Sequence, residues 1–200
     1  MTDDFLNRMV AGYPQPDAPH ARSVYRPDGG PVPDDSVPRL FGAFQITADV
    51  DVTQTPAEGI MCAMGDWTSG FALCALDGKL AFLLNRAGDE VRVVSEVAVP
   101  SGRHTLSCRY APSFDADPLL TLLHDDTVVA SVTIPVPMPF VWQHGGTALS
   151  LGYDRGFPVT DDYTPPFAWT GVLHEVTVDT SPSAIPGDPA HVERIEIHRE

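Results

Sequence analysis

Residues 70–86 read "GFALCALDGKLAFLLNR", two apolar runs joined at Asp77-Gly78. An Asp-Gly pair between apolar runs is a strong hairpin signal, because a tight primed turn needs positive φ and glycine accepts it without a steric cost. Both flanks have the length of a strand. The same grammar extends outward from this hairpin. Upstream, "FQITADVDV" (44–52) alternates apolar and polar residues, as a half-buried strand does, and "GIMCAMG" (59–65) is a short apolar run. Downstream, "EVRVVSEVAV" (90–99) leads through the turn "PSG" (100–102) into "RHTLSCRYA" (103–111). "LLTLLHDD" (119–126) and "TVVASVTI" (127–134) form a second hairpin, turning at Asp125-Asp126. "TALSLGYD" (147–154) and "GVLHEVTVD" (171–179) complete about ten short strands.

No segment between 40 and 180 carries a sustained helical period. Nothing alternates with helices, so a doubly wound α/β sheet is excluded in favour of an antiparallel sandwich or barrel. The flanks differ in composition. Residues 1–39 are rich in Pro, Asp and Gly and read as an extended arm, with one short helical turn expected over 3–11. Residues 40–180 form the sandwich. Residues 181–200 read as a tail that opens on the linker-like "SPSAIPGDPA" and contains "HVERIEIH" (191–198), which alternates well enough for one extra strand.

Bulk properties narrow the function. The chain of 200 residues carries 27 acidic and 12 basic residues, a formal net charge of −15. Nucleic-acid binding depends on basic side chains that displace phosphate counterions, and anionic membrane surfaces make the same demand, so neither is an expected partner. No stretch approaches the length of a membrane span, and the N-terminal residues lack the apolar core of a signal peptide. Cys62, Cys74 and Cys108 are odd in number and not tightly spaced, which argues against a disulfide framework or a zinc site. They read as small buried hydrophobes in a reducing compartment, and the expected location is cytoplasmic.

One stretch invites a functional reading: "GYDRGFPVTDDYTPPF" (152–167). Asp154, Asp161 and Asp162 are candidate oxygen ligands for a structural Ca²⁺. The same residues also suit a structural corner, with Asp side chains capping turn amides, Gly156 in an unusual φ and Pro165-Pro166 stiffening the run into the next strand. Trp67, in the turn-like "GDWTSG", and Trp142, after the proline-rich "PVPMPFV", are candidate ligand-binding aromatics, whereas Trp169 reads as core. The seven histidines form no pair at helical metal spacing. There is no Gly-x-Ser-x-Gly elbow, no phosphate-binding glycine loop and no Glu-x-Asp-x-x-Glu glycosidase strand; Glu193, Glu196 and Glu200 lie in the tail.

Two resemblances emerge from these residues. "FAWTGVLHEVTVDT" (167–180), through Phe167, Gly171, Leu173, Glu175 and Val176, resembles the closing motif of concanavalin A-like and laminin-G-like jelly rolls. This implies an all-β, two-sheet antiparallel jelly-roll sandwich. The segments 25–52, 76–85, 99–110 and 151–180 together resemble the C-terminal β-sandwich of bacterial arylsulfatases, most specifically through Asp154, Gly156, Pro158-Val159, Asp161-Asp162-Tyr163 and Phe167. Those enzymes use a Cys or Ser within Cys/Ser-x-Pro-x-Arg, and no cysteine or serine here stands in that motif. There is also no room for their catalytic α/β domain. The resemblance therefore implies a non-catalytic domain acting in assembly or recognition, partnered by a separate sulfatase-type catalytic chain or by a second copy. The alternative is a lectin-like module that binds a glycan, and hydrolysis would need a site the sequence does not display. No cofactor is expected beyond the candidate calcium ion.

Overall fold

A computed structural model describes residues 22–38, 40, 43–111, 117–134 and 147–180. The helical turn expected over 3–11, the candidate aromatic Trp142 and the strand expected at 191–198 lie outside the described residues. The described residues hold twelve strands: β1 (Arg22–Tyr25), β2 (Val32–Pro33), β3 (Phe44–Val52), β4 (Gly59–Asp66), β5 (Ser69–Leu76), β6 (Lys79–Arg86), β7 (Asp89–Ala98), β8 (Gly102–Ala111), β9 (Leu119–His124), β10 (Thr127–Thr133), β11 (Ala148–Leu151) and β12 (Val172–Asp179). Two single-turn 3₁₀ segments are the only helical elements among the described residues.

The strands form two six-stranded sheets. The front sheet runs β1-β12-β3-β8-β9-β10 and the back sheet β2-β11-β4-β5-β6-β7. All strand pairs are antiparallel. This is the expected all-β jelly-roll sandwich. β1 and β2 fall within the segment read as an arm, yet they pair with β12 and β11, so Arg22–Tyr25 and Val32–Pro33 belong to the two sheets.

The quoted hairpin is β5–β6. Asp77 and Gly78 adopt φ of 49° and 80°, the primed turn anticipated for this pair. Ala87-Gly88 and Asp125-Asp126 turn the same way, at φ of 57° and 91°, and 47° and 64°. The last pair has no glycine. Aspartate tolerates the left-handed region better than most residues, which keeps the β9–β10 turn accessible.

The two sheets bury their chain differently. β3 alternates buried Phe44, Ile46, Ala48, Val50 and Val52 with half-buried Gln45, Thr47, Asp49 and Asp51, so its outer face is polar. β5 is buried at every position. The reason is two cores. Phe71, Leu73, Leu80, Phe82 and Leu84 face the front sheet in the main core, where Phe71 and Phe82 stack with centroids 5.9 Å apart. Ala72, Cys74, Leu76, Ala81 and Leu83 face the other way and meet Val159 and Tyr163 in a second cluster. A strand buried on both faces reads as a continuous apolar run, which is what 70–86 shows. Each large apolar side chain contributes about 1.5–3 kcal/mol on burial.

Gly171 explains part of the closing motif. A Cβ there would stand 2.0 Å from the Asp51 carbonyl oxygen, so only glycine lets β12 begin this close to β3.

Candidate functional site

The loop over 152–170 covers the outer face of the back sheet. Its main chain is stitched to β4 and across its own two ends: Gly152 N–H donates to Met61 O (2.9 Å), Ile60 N–H to Phe167 O (2.8 Å) and Trp169 N–H to Gly152 O (2.9 Å). Tyr163 stacks on Phe167 at 5.7 Å and seals the second cluster. Its hydroxyl accepts from the Val159 N–H (3.0 Å) and donates to Asp154 Oδ2. Burial raises the Asp154 carboxyl above its ordinary range, against the lowering effect of the Tyr163 hydroxyl and the Arg155 amide. Burial likewise pushes the Tyr163 phenol up, with the Asp154 bond adding to it.

The structure does not bring the three candidate calcium ligands together. Asp154 is buried with Tyr163, and its own N–H donates to Pro166 O (2.8 Å). Asp162 accepts from Thr160 Oγ1 (2.8 Å) and pairs with Arg92 Nε (2.8 Å). Asp161 is exposed. The stretch is a structural corner that closes a second core. With its carboxylates turned to a tyrosine, an arginine and solvent, it does not form the oxygen cage that Ca²⁺ requires.

Trp67 lies in the β4–β5 turn and is 62% exposed. Phe157, which the sequence did not single out, is 68% exposed. One side chain links their segments: Asn85 Nδ2 donates to Trp67 O (2.8 Å) and to Val159 O (3.0 Å). Trp169 is buried in the main core, as expected.

The outer face of the front sheet is polar at its centre, with exposed Val24, Val172, Leu119 and Val128 toward its edges. Cross-strand register aligns Arg22, Asp179, Gln45, Arg109, Thr121 and Ser131, one residue from each of the six strands. The next row runs Val24, Thr177, Thr47, Ser107, Leu123 and Val128, polar in the middle and apolar at both ends. Bonds lock the middle of this surface. Arg109 Nε donates to Gln45 Oε1 (3.0 Å), while Gln45 Nε2 (3.1 Å) and Ser107 Oγ (2.9 Å) both donate to Thr47 Oγ1. A shallow cavity of ≈ 170 Å³ opens between Arg22, Gln45, Thr47, Thr177 and Asp179.

A second polar group lies at one rim of the sandwich. His104 pairs across strands with core-facing Val50, and His124 with core-facing Leu106, so both imidazoles point into the mouth between the sheets. Being diagonal neighbours on β8 and β9, they meet at 4.6 Å between ring centroids, edge to face. His104 Nδ1 lies 2.8 Å from Asp125 Oδ2 and 2.9 Å from His124 Nε2, and His124 Nε2 lies 3.3 Å from Asp125 Oδ2. Asp125 Oδ1 accepts the Thr105 N–H at 2.8 Å. Partial burial works to raise the Asp125 carboxyl, but the His104 bond, the Thr105 amide and the nearby imidazoles outweigh it and hold it below its ordinary value. No local sequence pattern signals this group, because the histidines are 20 residues apart and only strand register joins them.

Comparison with known proteins supports the fold. No family model and no curated protein matches the sequence. Among solved structures, the chain is similar to the mouse laminin α1 chain, domains LG4-5, at 14% identity and a TM-score of 0.56, over 79% of this chain and 39% of that one. It is similar to the CBM40 of the Ruminococcus gnavus IT-sialidase bound to α2,3-sialyllactose, at 13% identity and a TM-score of 0.54, over 73% of this chain and 82% of that one. It is also similar to the NanB sialidase of Streptococcus pneumoniae, at 14% identity and a TM-score of 0.57, over 85% of this chain but 28% of that one. The architecture is therefore that of the concanavalin A-like, laminin-G-like jelly rolls.

Proposed function

We propose that this chain is a non-catalytic, lectin-like module that binds a glycan on the outer face of its front sheet. The observation that carries the reading is the six-strand row of polar side chains with its cavity at Arg22, Gln45, Thr47, Thr177 and Asp179. Hydroxyl-rich ligands are held by many moderate hydrogen bonds, and donors and acceptors already fixed by neighbours lose little freedom on binding. The Arg109–Gln45–Thr47–Ser107 network supplies such fixed groups. One structural neighbour, the R. gnavus CBM40, was solved with a sialylated sugar, and that likeness favours this reading over assembly alone. Catalysis by the sulfatase route is not proposed, since Cys/Ser-x-Pro-x-Arg is missing. The arylsulfatase kinship, and with it a sulfatase-type partner chain, gains no support from the neighbours described. A cytoplasmic location remains part of the proposal, supported by three buried free thiols; burial pushes the Cys62 thiol up to about 12.

The test is a glycan-array screen of the purified protein, followed by titration of any hit into wild type and the Gln45→Ala and Arg22→Ala variants. Binding in the millimolar-to-micromolar range, weakened about tenfold or more by either substitution, is expected from the loss of one or two hydrogen bonds. A bound glycan whose affinity ignores both substitutions would remove the front sheet from consideration. A second reading, docking of a protein partner or of a second copy, is favoured by Trp67 and Phe157, large aromatics left exposed on segments that Asn85 ties together. Sedimentation of wild type against the Trp67→Ser, Phe157→Ser double variant tests self-association.

A further inference from the structure

We propose that His104, His124 and Asp125 form a binding site for a divalent transition-metal ion of the zinc class, separate from the glycan face. The three atoms His104 Nδ1, His124 Nε2 and Asp125 Oδ2 make a triangle with edges of 2.8, 2.9 and 3.3 Å. Cis ligands on an ion with bonds of about 2.1 Å stand about 3.0 Å apart in octahedral geometry and about 3.4 Å apart in tetrahedral geometry. The observed edges fall at or just inside these values.

Hydrogen counting strengthens the case. A neutral imidazole has one N–H and one lone pair, and an ionised carboxylate only accepts. If His104 Nδ1–H donates to Asp125, the 2.9 Å contact with His124 Nε2 has no hydrogen of its own. If His124 Nε2–H donates to His104 Nδ1, the 2.8 Å contact sets a carboxylate oxygen against an imidazole lone pair. With hydrogens on both nitrogens, two N–H groups crowd each other. No neutral arrangement satisfies all three edges, whereas a cation accepts three converging lone pairs together.

The scaffold holds the donors in place. Asp125 is fixed by a bond from its own N–H to Thr105 O (2.9 Å) and by the Thr105 N–H on Oδ1, which leaves Oδ2 aimed at the imidazoles. The rings come from adjacent strands, more rigid than loops. Two nitrogen donors and one oxygen suit zinc, nickel, cobalt or copper and are wrong for Ca²⁺, which takes six to eight oxygens. Three protein donors leave coordination positions open, and the Asp125 side chain, 51% exposed, faces solvent.

The experiment is isothermal titration of chelator-treated full-length protein with Zn²⁺, with Ca²⁺ as control and the Co²⁺ visible spectrum as a second readout. The expected result is one Zn²⁺ per chain at this site, no Ca²⁺ competition, and Co²⁺ d–d bands of a nitrogen–oxygen site. His124→Ala and Asp125→Asn should each weaken binding about 100-fold, at the upper end of the losses seen on altering metal-site partners. His174→Ala, a change at a histidine paired instead with Asp51, should leave it unchanged. Asp125→Asn retains the side-chain oxygen that caps Thr105, so it reports even if His124→Ala fails to fold. Absence of Zn²⁺ and Co²⁺ binding by wild type, or Zn²⁺ affinity unaltered in Asp125→Asn and in folded His124→Ala, overturns the assignment. Because none of these readouts involves a glycan, failure here leaves the glycan reading intact, and the reverse also holds.

Discussion

The Tyr163 hydroxyl accepts from one backbone amide and donates to one buried carboxylate, so both its polar capacities are used where water does not reach. Tyr163→Phe strips Asp154 and the Val159 N–H of their shared partner, and should cost about 1–3 kcal/mol in chemical denaturation. The sign of the pH effect follows from burial. Asp154 has a folded pKa above its unfolded value, so its contribution is fully present below the unfolded pKa and is lost as pH rises through the folded one. Asp154→Asn removes that loss. Denaturation midpoints measured across the acid range should show the variant gaining on wild type as pH rises, then running parallel. Asp49 behaves in the opposite sense. The Arg103 hydrogen bond lowers its carboxyl, so its contribution is present above the unfolded pKa and fades as pH falls through the folded one.

At the scale of elements, the turns and the close approaches carry the testable strain. Asp126 holds φ of 64° in a position where glycine is the preferred residue, so Asp126→Gly should stabilise the β9–β10 hairpin by about 0.5–1 kcal/mol, read as a shift in thermal midpoint. Gly171→Ala should destabilise by about 1–3 kcal/mol or more, because its Cβ would meet the Asp51 carbonyl. Strands with glycine-bearing turns and long apolar or alternating runs were legible from the sequence, β5 and β6 above all. β1 and β2 were not, since four and two residues among prolines show no period. The site was less legible than the fold. Trp67 announced itself by sitting in a turn, but Phe157 sat in a stretch whose carboxylates drew attention to calcium. His104 and His124 converge through the β8–β9 register, in which Leu106 faces His124, and no local pattern encodes that offset.

At the scale of the whole molecule, the two sheets have unequal outer faces. The back sheet is roofed by the loop over 152–170, and its apolar strands depend on that roof. Replacing Val159 and Phe167 together with serine should expose the face of Ala72, Cys74, Ala81 and Leu83, and bring dye binding of the kind shown by uncovered apolar surface. The front sheet has no such roof among the described residues, and its one fully polar row, from Arg22 to Ser131, crosses six strands. With neighbouring strands about 4.8 Å apart, that row measures about 24 Å from end to end. The face is therefore a ruler as well as a surface. An oligosaccharide lying across the strands gains contacts with each added unit until it reaches the far edge, and affinity measured against chain length should climb and then level off at that span.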